Sequence, residues 1–256
     1  MYGVNSLGLF VARGVVGVDE AGRGPALGPL VVCAIYMPKY DREILSEIGV
    51  KDSKKLSKKR IEDIYQEIIS KSILRNWSIG IKICEAEMID KWMTTGNLNS
   101  LEVKLFSDAI SKVTNPSNCP SIFLDACDVN EVRFGKNVMY SLGSEWSKCD
   151  VLSMHKLDEN DVLVAAASVI AKKVRDDEVK KLSKQVGMNL GSGYPADPST
   201  KIAIRKLCNF ETPHKCLRWS WANVKRNWIE VNKRPMPKRV FDEYEKTQSV
   251  IDDWKQ

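Results

Sequence analysis

The residues that most restrict the fold lie near the N-terminus. An apolar, β-rich run at residues 15–18 stops at two adjacent carboxylates, Asp19 and Glu20, and the chain then enters AGRGPALGP, dense in glycine and proline. Such a stretch cannot continue a helix through its prolines, and its glycines admit backbone conformations closed to other residues. A second β-rich run follows over residues 29–36, so the pattern predicts two neighbouring strands joined by a specialised turn. Neither G-x-G-x-x-G nor G-x-x-x-x-G-K-[ST] is present, and a strand rather than a helix follows, which argues against a nucleotide phosphate loop. Gly22 and Gly24 instead bare main-chain groups that could approach a ligand hydroxyl; a tight turn with no ligand is the alternative.

Ser57 can cap a helix in which Ile61, Ile64, Tyr65, Ile68 and Ile69 recur at helical spacing. Trp77, Ile79, Ile81 and Ile83 alternate as in a strand with one buried face, and a helix is predicted over 98–113 with Leu101, Leu105 and Ile110 inward. Residues 122–124 and 151–154 read as short buried strands, each followed within a few positions by an aspartate. The next helix, 162–184, opens on Ala165, Ala166, Ala167 and Ser168, small enough for close approach to another backbone or a ligand. A glycine- and proline-rich loop, 187–198, surrounds Tyr194, and basic, tryptophan-bearing helical segments follow; Pro235 and Pro237 mark a linker before a last helical stretch. This order gives an α/β core, residues 1–184, with a helical C-terminal domain and tail, residues 185–256.

The seven cysteines are odd in number and scattered, with no C-x-x-C pair and only two histidines in the chain, which argues against a zinc site or a secreted disulfide framework and predicts reduced thiols. No apolar run approaches the roughly 18 residues of a membrane span. The nearest candidate for a signal segment, 7–18, contains Arg13 and runs into Asp19 and Glu20, so it reads as a buried strand and a cytoplasmic location is expected. The net charge of +6 is modest. Its clustering says more: Lys51, Lys54, Lys55, Lys58, Lys59 and Arg60 form one group, and Lys172, Lys173, Arg175, Lys180 and Lys181 another. Such groups attract phosphate backbones, or simply line a solvated helix face.

Four acidic positions stand out: Asp19 and Glu20 at the end of the first strand, Asp125 after residues 122–124, and Asp158 after 151–154. Carboxylates at the ends of buried strands converge on one sheet edge, where their charges are costly unless cations neutralise them. Hard oxygen ligands suit magnesium or manganese, and two such ions roughly 3.5–4 Å apart can activate water and stabilise the leaving oxygen of a phosphodiester. Spacing leaves the matter open, because neighbouring strand residues point to opposite faces and any single aspartate at a strand end can serve as a cap or turn residue.

Five segments, DEAGRGPALGP (19–29), DSKKLS (52–57), LDACD (124–128), HKLDENDVLVAAASVIAKKVRD (155–176) and GSGYPADPST (191–200), resemble in order and spacing the signature segments of type 2 ribonuclease H, or ribonuclease HII. The LDACDVN and CLRWSWANV stretches look more like archaeal, single-chain members. The resemblance implies a ribonuclease H-like α/β core with a mixed central sheet flanked by helices, plus a helical C-terminal domain. It implies an endonuclease that cuts the RNA strand of RNA/DNA hybrids, and cuts 5′ of ribonucleotides embedded in DNA, using two Mg²⁺ or Mn²⁺ ions.

The same resemblance puts the metal-binding carboxylates on Asp19, Glu20, Asp125 and Asp158 and assigns the 2′-hydroxyl contact to Gly22, Arg23 and Gly24 with Tyr194 beside the sugar. Lys54, Ser168 and Lys172 fall in segments that approach the nucleic-acid backbone, while Asp128 and Asp161 lie off the matched columns as supporting or solvent-facing residues. Leu157 departs from the alanine usual before the fourth carboxylate. In the tail, Gln248, Ile251 and Trp254 have the spacing of a sliding-clamp-binding motif found in some archaeal members, although Lys255 replaces its second aromatic. A monomer is expected. Type 1 ribonuclease H and a non-catalytic hybrid-binding module are the other classes; the first needs a run of ribonucleotides, the second a missing carboxylate.

Overall fold

A computed structural model of the chain describes residues 3–4, 10–11, 14–50, 57–119 and 121–241. Strands β1 (Gly3–Val4) and β2 (Phe10–Val11) form a small antiparallel ladder of their own. The main sheet comprises β3 (Gly14–Ala21), β4 (Leu30–Pro38), β5 (Ser78–Cys84), β6 (Ser121–Asp125) and β7 (Asp150–Met154), in the order β5-β4-β3-β6-β7. β4 is antiparallel to both β3 and β5, whereas β6 is parallel to both β3 and β7. The sheet is therefore mixed, as the resemblance implies. Parallel neighbours need crossovers, and helices supply them: α3 (Ala86–Trp92) and α4 (Leu98–Val113) lead into β6, and α5 (Glu131–Leu142) leads into β7.

Alternation along β3 sorts the core into two layers. Val15 packs with α1 (Arg42–Ile48), α2 (Lys58–Arg75) and α6 (Val162–Val186), while Val16 and Val18 pack with α4 and α5. A Cβ at Gly17 would lie 2.6 Å from Leu163 Cγ, so α6 rests directly on the strand, and Ala165, Ala166 and Ala167 are buried there as their size allows. Across the sheet, Phe106 of α4 meets Phe134 of α5 edge-on, with centroids 5.1 Å apart. α2 begins as expected, with the Ser57 hydroxyl accepting from the Arg60 amide at 3.2 Å and Ile64 and Ile68 buried.

Two expectations change. β3 does not stop at Val18: Asp19, Glu20 and Ala21 remain paired to Cys33, Val32 and Val31 of β4, so both carboxylates lie within the strand and the turn comes after them. β7 is not a buried strand. Among the described residues it is the sheet's edge, paired only with β6, and Val151, Leu152 and Met154 are 37%, 42% and 41% exposed.

A further apolar cluster gathers Ala26, Leu27 and Val179 with α7 (Pro198–Leu207) and α8 (Ala222–Asn232), centred on the buried Trp228. Leu217 bridges Leu27, with the Gly28 amide donating to Cys216 O at 2.9 Å and the Arg218 amide to Ala26 O at 2.9 Å. Lys54 and the tail residues Gln248, Ile251 and Trp254 lie outside the described residues. Among the described residues no helix is long and apolar enough to cross a membrane.

Candidate active site

The parallel ladder sets Val18 opposite Leu124, so the next residues, Asp19 and Asp125, arrive side by side. Leu124 belongs to the layer of α4 and α5 and Phe123 packs on the α6 layer, which places Asp125 and Asp19 on the α6 side. Asp158 joins them from a 3-10 turn, Leu157–Glu159, just before α6. Carboxylate oxygens of Asp19, Asp125 and Asp158 lie within 4.8 Å of one another. Glu20 takes the opposite face of β3, and its carboxylate clusters with Glu102 of α4 and Cys127. Sequence reasoning proposed a fourfold convergence; the strand's period leaves Glu20 beside that cluster, close enough for the charge of Asp125 to act on it.

Burial drives the Asp19 pKa well above the usual carboxylate range, and the charges of Asp125 and Glu20 push it further. Two hydrogen bonds oppose that shift, one from the Ser168 hydroxyl and one from the Glu20 amide, which reaches Asp19 Oδ1 at 2.7 Å. Glu20 is pushed up to about 7, again mainly by burial, with Arg23 opposing and Asp125 adding. Asp125 accepts the Leu157 amide at 2.8 Å. That contact uses the backbone, and the Leu157 side chain is itself buried. Three crowded carboxylates with hard oxygen donors fit a divalent cation, which would relieve both their repulsion and the cost of burying charge.

Beside this cluster lies a cleft of about 310 Å³ lined by Glu20, Ala21, Gly22, Arg23, Ser168, Lys172, Arg175 and Tyr194. Gly22 has φ +95°, and a Cβ there would lie 2.6 Å from Pro29 O, so no other residue fits without displacing the turn. Gly24 faces Tyr194, whose Cε1 would be 3.5 Å from an added Cβ. Lys172 is exposed at the cleft, whereas Lys173, Lys180 and Lys181 form ion pairs with Glu62, Asp177 and Glu178. A larger cavity of about 500 Å³, lined by Glu87, Phe210, His214, Trp219, Lys238 and Arg239 among others, includes none of Asp19, Glu20, Asp125 and Asp158.

Glu102 and Arg218, which no sequence pattern singles out, shape the site together with Arg23 and Arg175. Arg23 forms an ion pair with the buried Glu102 and donates to Asn99 Oδ1 at 2.8 Å, so its side chain turns toward α4. Arg175 donates to Ser192 O at 2.6 Å and stacks on Tyr194, its guanidinium carbon 5.3 Å from the ring centroid. Arg218, fully buried, holds the glycine turn from the C-terminal part. Arg175 belongs to the second basic cluster and Arg218 to the CLRWSWANV segment, whereas no pattern marks Glu102. Asp128 and Asp161 prove to be supports: Asp128 is buried against Arg133, and Asp161 caps α6, accepting the Leu163 amide at 2.9 Å while pairing with Arg42.

Comparison with known proteins places this geometry. Residues 16–224 match the family model described as Ribonuclease HII. A ribonuclease HII of Methanocella arvoryzae is 40% identical over 213 residues, covering 81% of this chain and 88% of that protein. The crystal structure of ribonuclease H2 from Pyrococcus horikoshii superposes with a TM-score of 0.75 at 31% identity, covering 86% of this chain and all of that one. Ribonuclease HII of Archaeoglobus fulgidus, solved as a complex with PCNA, gives a TM-score of 0.70 at 31% identity over 81% of this chain and 95% of its own. The chain belongs to the ribonuclease HII family and is a metal-dependent ribonuclease H-type endonuclease acting on RNA paired with DNA.

Proposed function

We propose that the enzyme hydrolyses the RNA strand of RNA/DNA hybrids and also cuts 5′ of single ribonucleotides embedded in duplex DNA, leaving 3′-hydroxyl and 5′-phosphate ends. The observation that carries this reading is the adjacency of the Asp19, Asp125 and Asp158 cluster to a cleft walled by a bare glycine turn and a half-exposed tyrosine. Asp19, Glu20, Asp125 and Asp158 would hold the metal. Two Mg²⁺ or Mn²⁺ ions, when bound, supply water activation and stabilisation of the leaving oxygen.

The chain's own residues do the selecting. Gly22, Arg23 and Gly24 present main-chain groups to the 2′-hydroxyl, the feature that separates RNA from DNA, and Tyr194 flanks that sugar. Lys54, Lys172 and Ser168 meet the nucleic-acid backbone, which adds affinity and register without reading sequence. The tail acts separately, with Gln248, Ile251 and Trp254 docking a sliding clamp, a reading supported by the Archaeoglobus relative solved with PCNA. Removing residues 247–256 should abolish clamp capture in a pull-down; undiminished capture would dispose of that role. Residues 1–184 are proposed as the catalytic core and 185–256 as a helical C-terminal domain and tail, with α7 and α8 packing around Trp228 onto Ala26, Leu27 and Val179 of the core. The enzyme is proposed to act as a cytoplasmic monomer.

The decisive test is a duplex carrying one ribonucleotide in a DNA strand, incubated with and without Mg²⁺, with product ends mapped. A single Mg²⁺-dependent cut 5′ of the ribonucleotide is expected. An enzyme that cuts only runs of ribonucleotides behaves as a type 1 ribonuclease H and refutes the embedded-ribonucleotide activity.

A further inference from the structure

Arg218 is fully buried, and its guanidinium spends its donors on one object: Nε donates to Gly28 O at 3.0 Å, Nη1 to Arg23 O at 2.9 Å and Nη2 to Gly22 O at 2.6 Å. Its own amide donates to Ala26 O, and its guanidinium carbon sits 4.9 Å from the Trp221 ring centroid. One side chain from the C-terminal part therefore grips the glycine turn at both ends. Burying a cation is expensive unless its hydrogen bonds are satisfied, and here carbonyl oxygens satisfy them.

Those carbonyls also fix the neighbouring amides. In a trans peptide the C=O of one residue and the N–H of the next point in opposite directions. Drawing Gly22 O and Arg23 O toward Arg218 turns the amides of Arg23 and Gly24 away from it. The Arg23 amide hydrogen-bonds the Glu20 carboxylate, and Gly24 is the residue that faces Tyr194 across the cleft. We infer that Arg218 is a positioning residue for ribose discrimination: by holding the carbonyl edge of the Gly22-Arg23-Gly24 turn, it keeps the amide edge directed into the cleft. This inference rests on the proposed reading of the turn as the 2′-hydroxyl contact.

The test measures binding with Ca²⁺ in place of Mg²⁺, the absence of cutting being checked on a gel, to two duplexes identical except for one ribonucleotide. The quantity read is the ratio of the two dissociation constants, all-DNA over ribonucleotide-containing. Arg218→Gln should lower this ratio by about tenfold, the scale of one lost hydrogen bond, while all-DNA affinity stays within about twofold. Arg218→Lys keeps the charge but not the three-pronged reach, and serves where Arg218→Gln does not fold; it should lower the ratio in the same direction. Arg239→Gln is the control for mere destabilisation, since the Arg239 side chain is only 7% exposed, pairs with Asp90 and donates to Leu217 O and Lys215 O without touching the turn; its ratio should match the wild type. A wild-type ratio in the soluble Arg218 variants overturns the inference. A ratio of one in the wild-type protein overturns instead the reading of the turn as a ribose contact, so the two failures are told apart.

Discussion

The two walls of the cleft are held in place by different means. On the carboxylate side, Asp19 and Asp125 are carried by paired strands, and their meeting follows from a ladder register and a two-residue period. On the turn side, Gly22 to Gly28 belong to no strand of the main sheet and are fixed from distant parts of the chain, by backbone hydrogen bonds with Gly193, Cys216 and Arg218 and by the buried Arg218 guanidinium, about two hundred positions away in sequence, with Arg175 packed against Gly22. A wall built on strands keeps its geometry when one of its side chains is altered in charge but not in shape. A wall built on side-chain clamps loses geometry with its clamps or with the glycine conformation they hold. Substitutions on the first side should therefore separate chemistry from folding, and those on the second should couple them.

Asp125→Asn gives the largest separation. Asparagine keeps an oxygen to accept the Leu157 amide, so the melting temperature should hold or rise as a repelling charge disappears. Metal-dependent cleavage should fall more than the roughly 10–100-fold typical of outer partners of a metal ligand. Near-normal turnover would remove Asp125 from the site. Gly22→Ala is the matching test of the clamped wall: an alanine at φ +95°, directed against Pro29 O, should cost about 1–3 kcal/mol of stability and lower cleavage with it. Were this variant as stable and active as the parent, the turn could not be rigidly held. Tyr194→Ala, at a residue 40% exposed, should leave stability within about 0.5 kcal/mol and reduce cleavage at a lone ribonucleotide by roughly tenfold. No change in that assay would refute its place beside the sugar.

The same division governs what sequence could reveal. The β3 strand, the capped helix after Ser57, the small-residued α6 and the carboxylates following apolar runs all obey local or periodic rules, and each was found from pattern alone. Where pattern failed, the cause was a neighbour in space. β7 carries an apolar run yet sits at the sheet edge, because strand order is not written in any one strand. The apolar run stops at Val18, but pairing with β4 extends β3 through Asp19 and Glu20 to Ala21, and this sends Glu20 toward Glu102 instead of Asp158. Arg218 and Glu102 had no local signature because their partners are carbonyls and an arginine supplied by distant parts of the chain.

Glu20 lies between the two walls, and its protonation offers the subtlest probe of how they communicate. In the metal-free protein its pKa rises from 4.5 to about 7, chiefly through burial, and Asp19 shifts the same way. The folded state then holds a proton that the unfolded chain has released, so this contribution to stability is complete below about 4.5 and is lost as pH rises through about 7. His214, whose pKa burial lowers, acts in the opposite sense, so the informative quantity is the wild type compared with Glu20→Gln. Between pH 5 and 8 in EDTA the wild type should lose about 2–4 °C more in melting temperature than the variant, the size of ~1 kcal/mol in a chain of this length. Mg²⁺ or Mn²⁺ should recover that difference at pH 8 and do little at pH 5, because carboxylates bind the ion only once deprotonated. Parallel melting curves for the two proteins across that range would mean that Glu20 does not feel the burial and the Asp125 charge that tie it to the carboxylate wall.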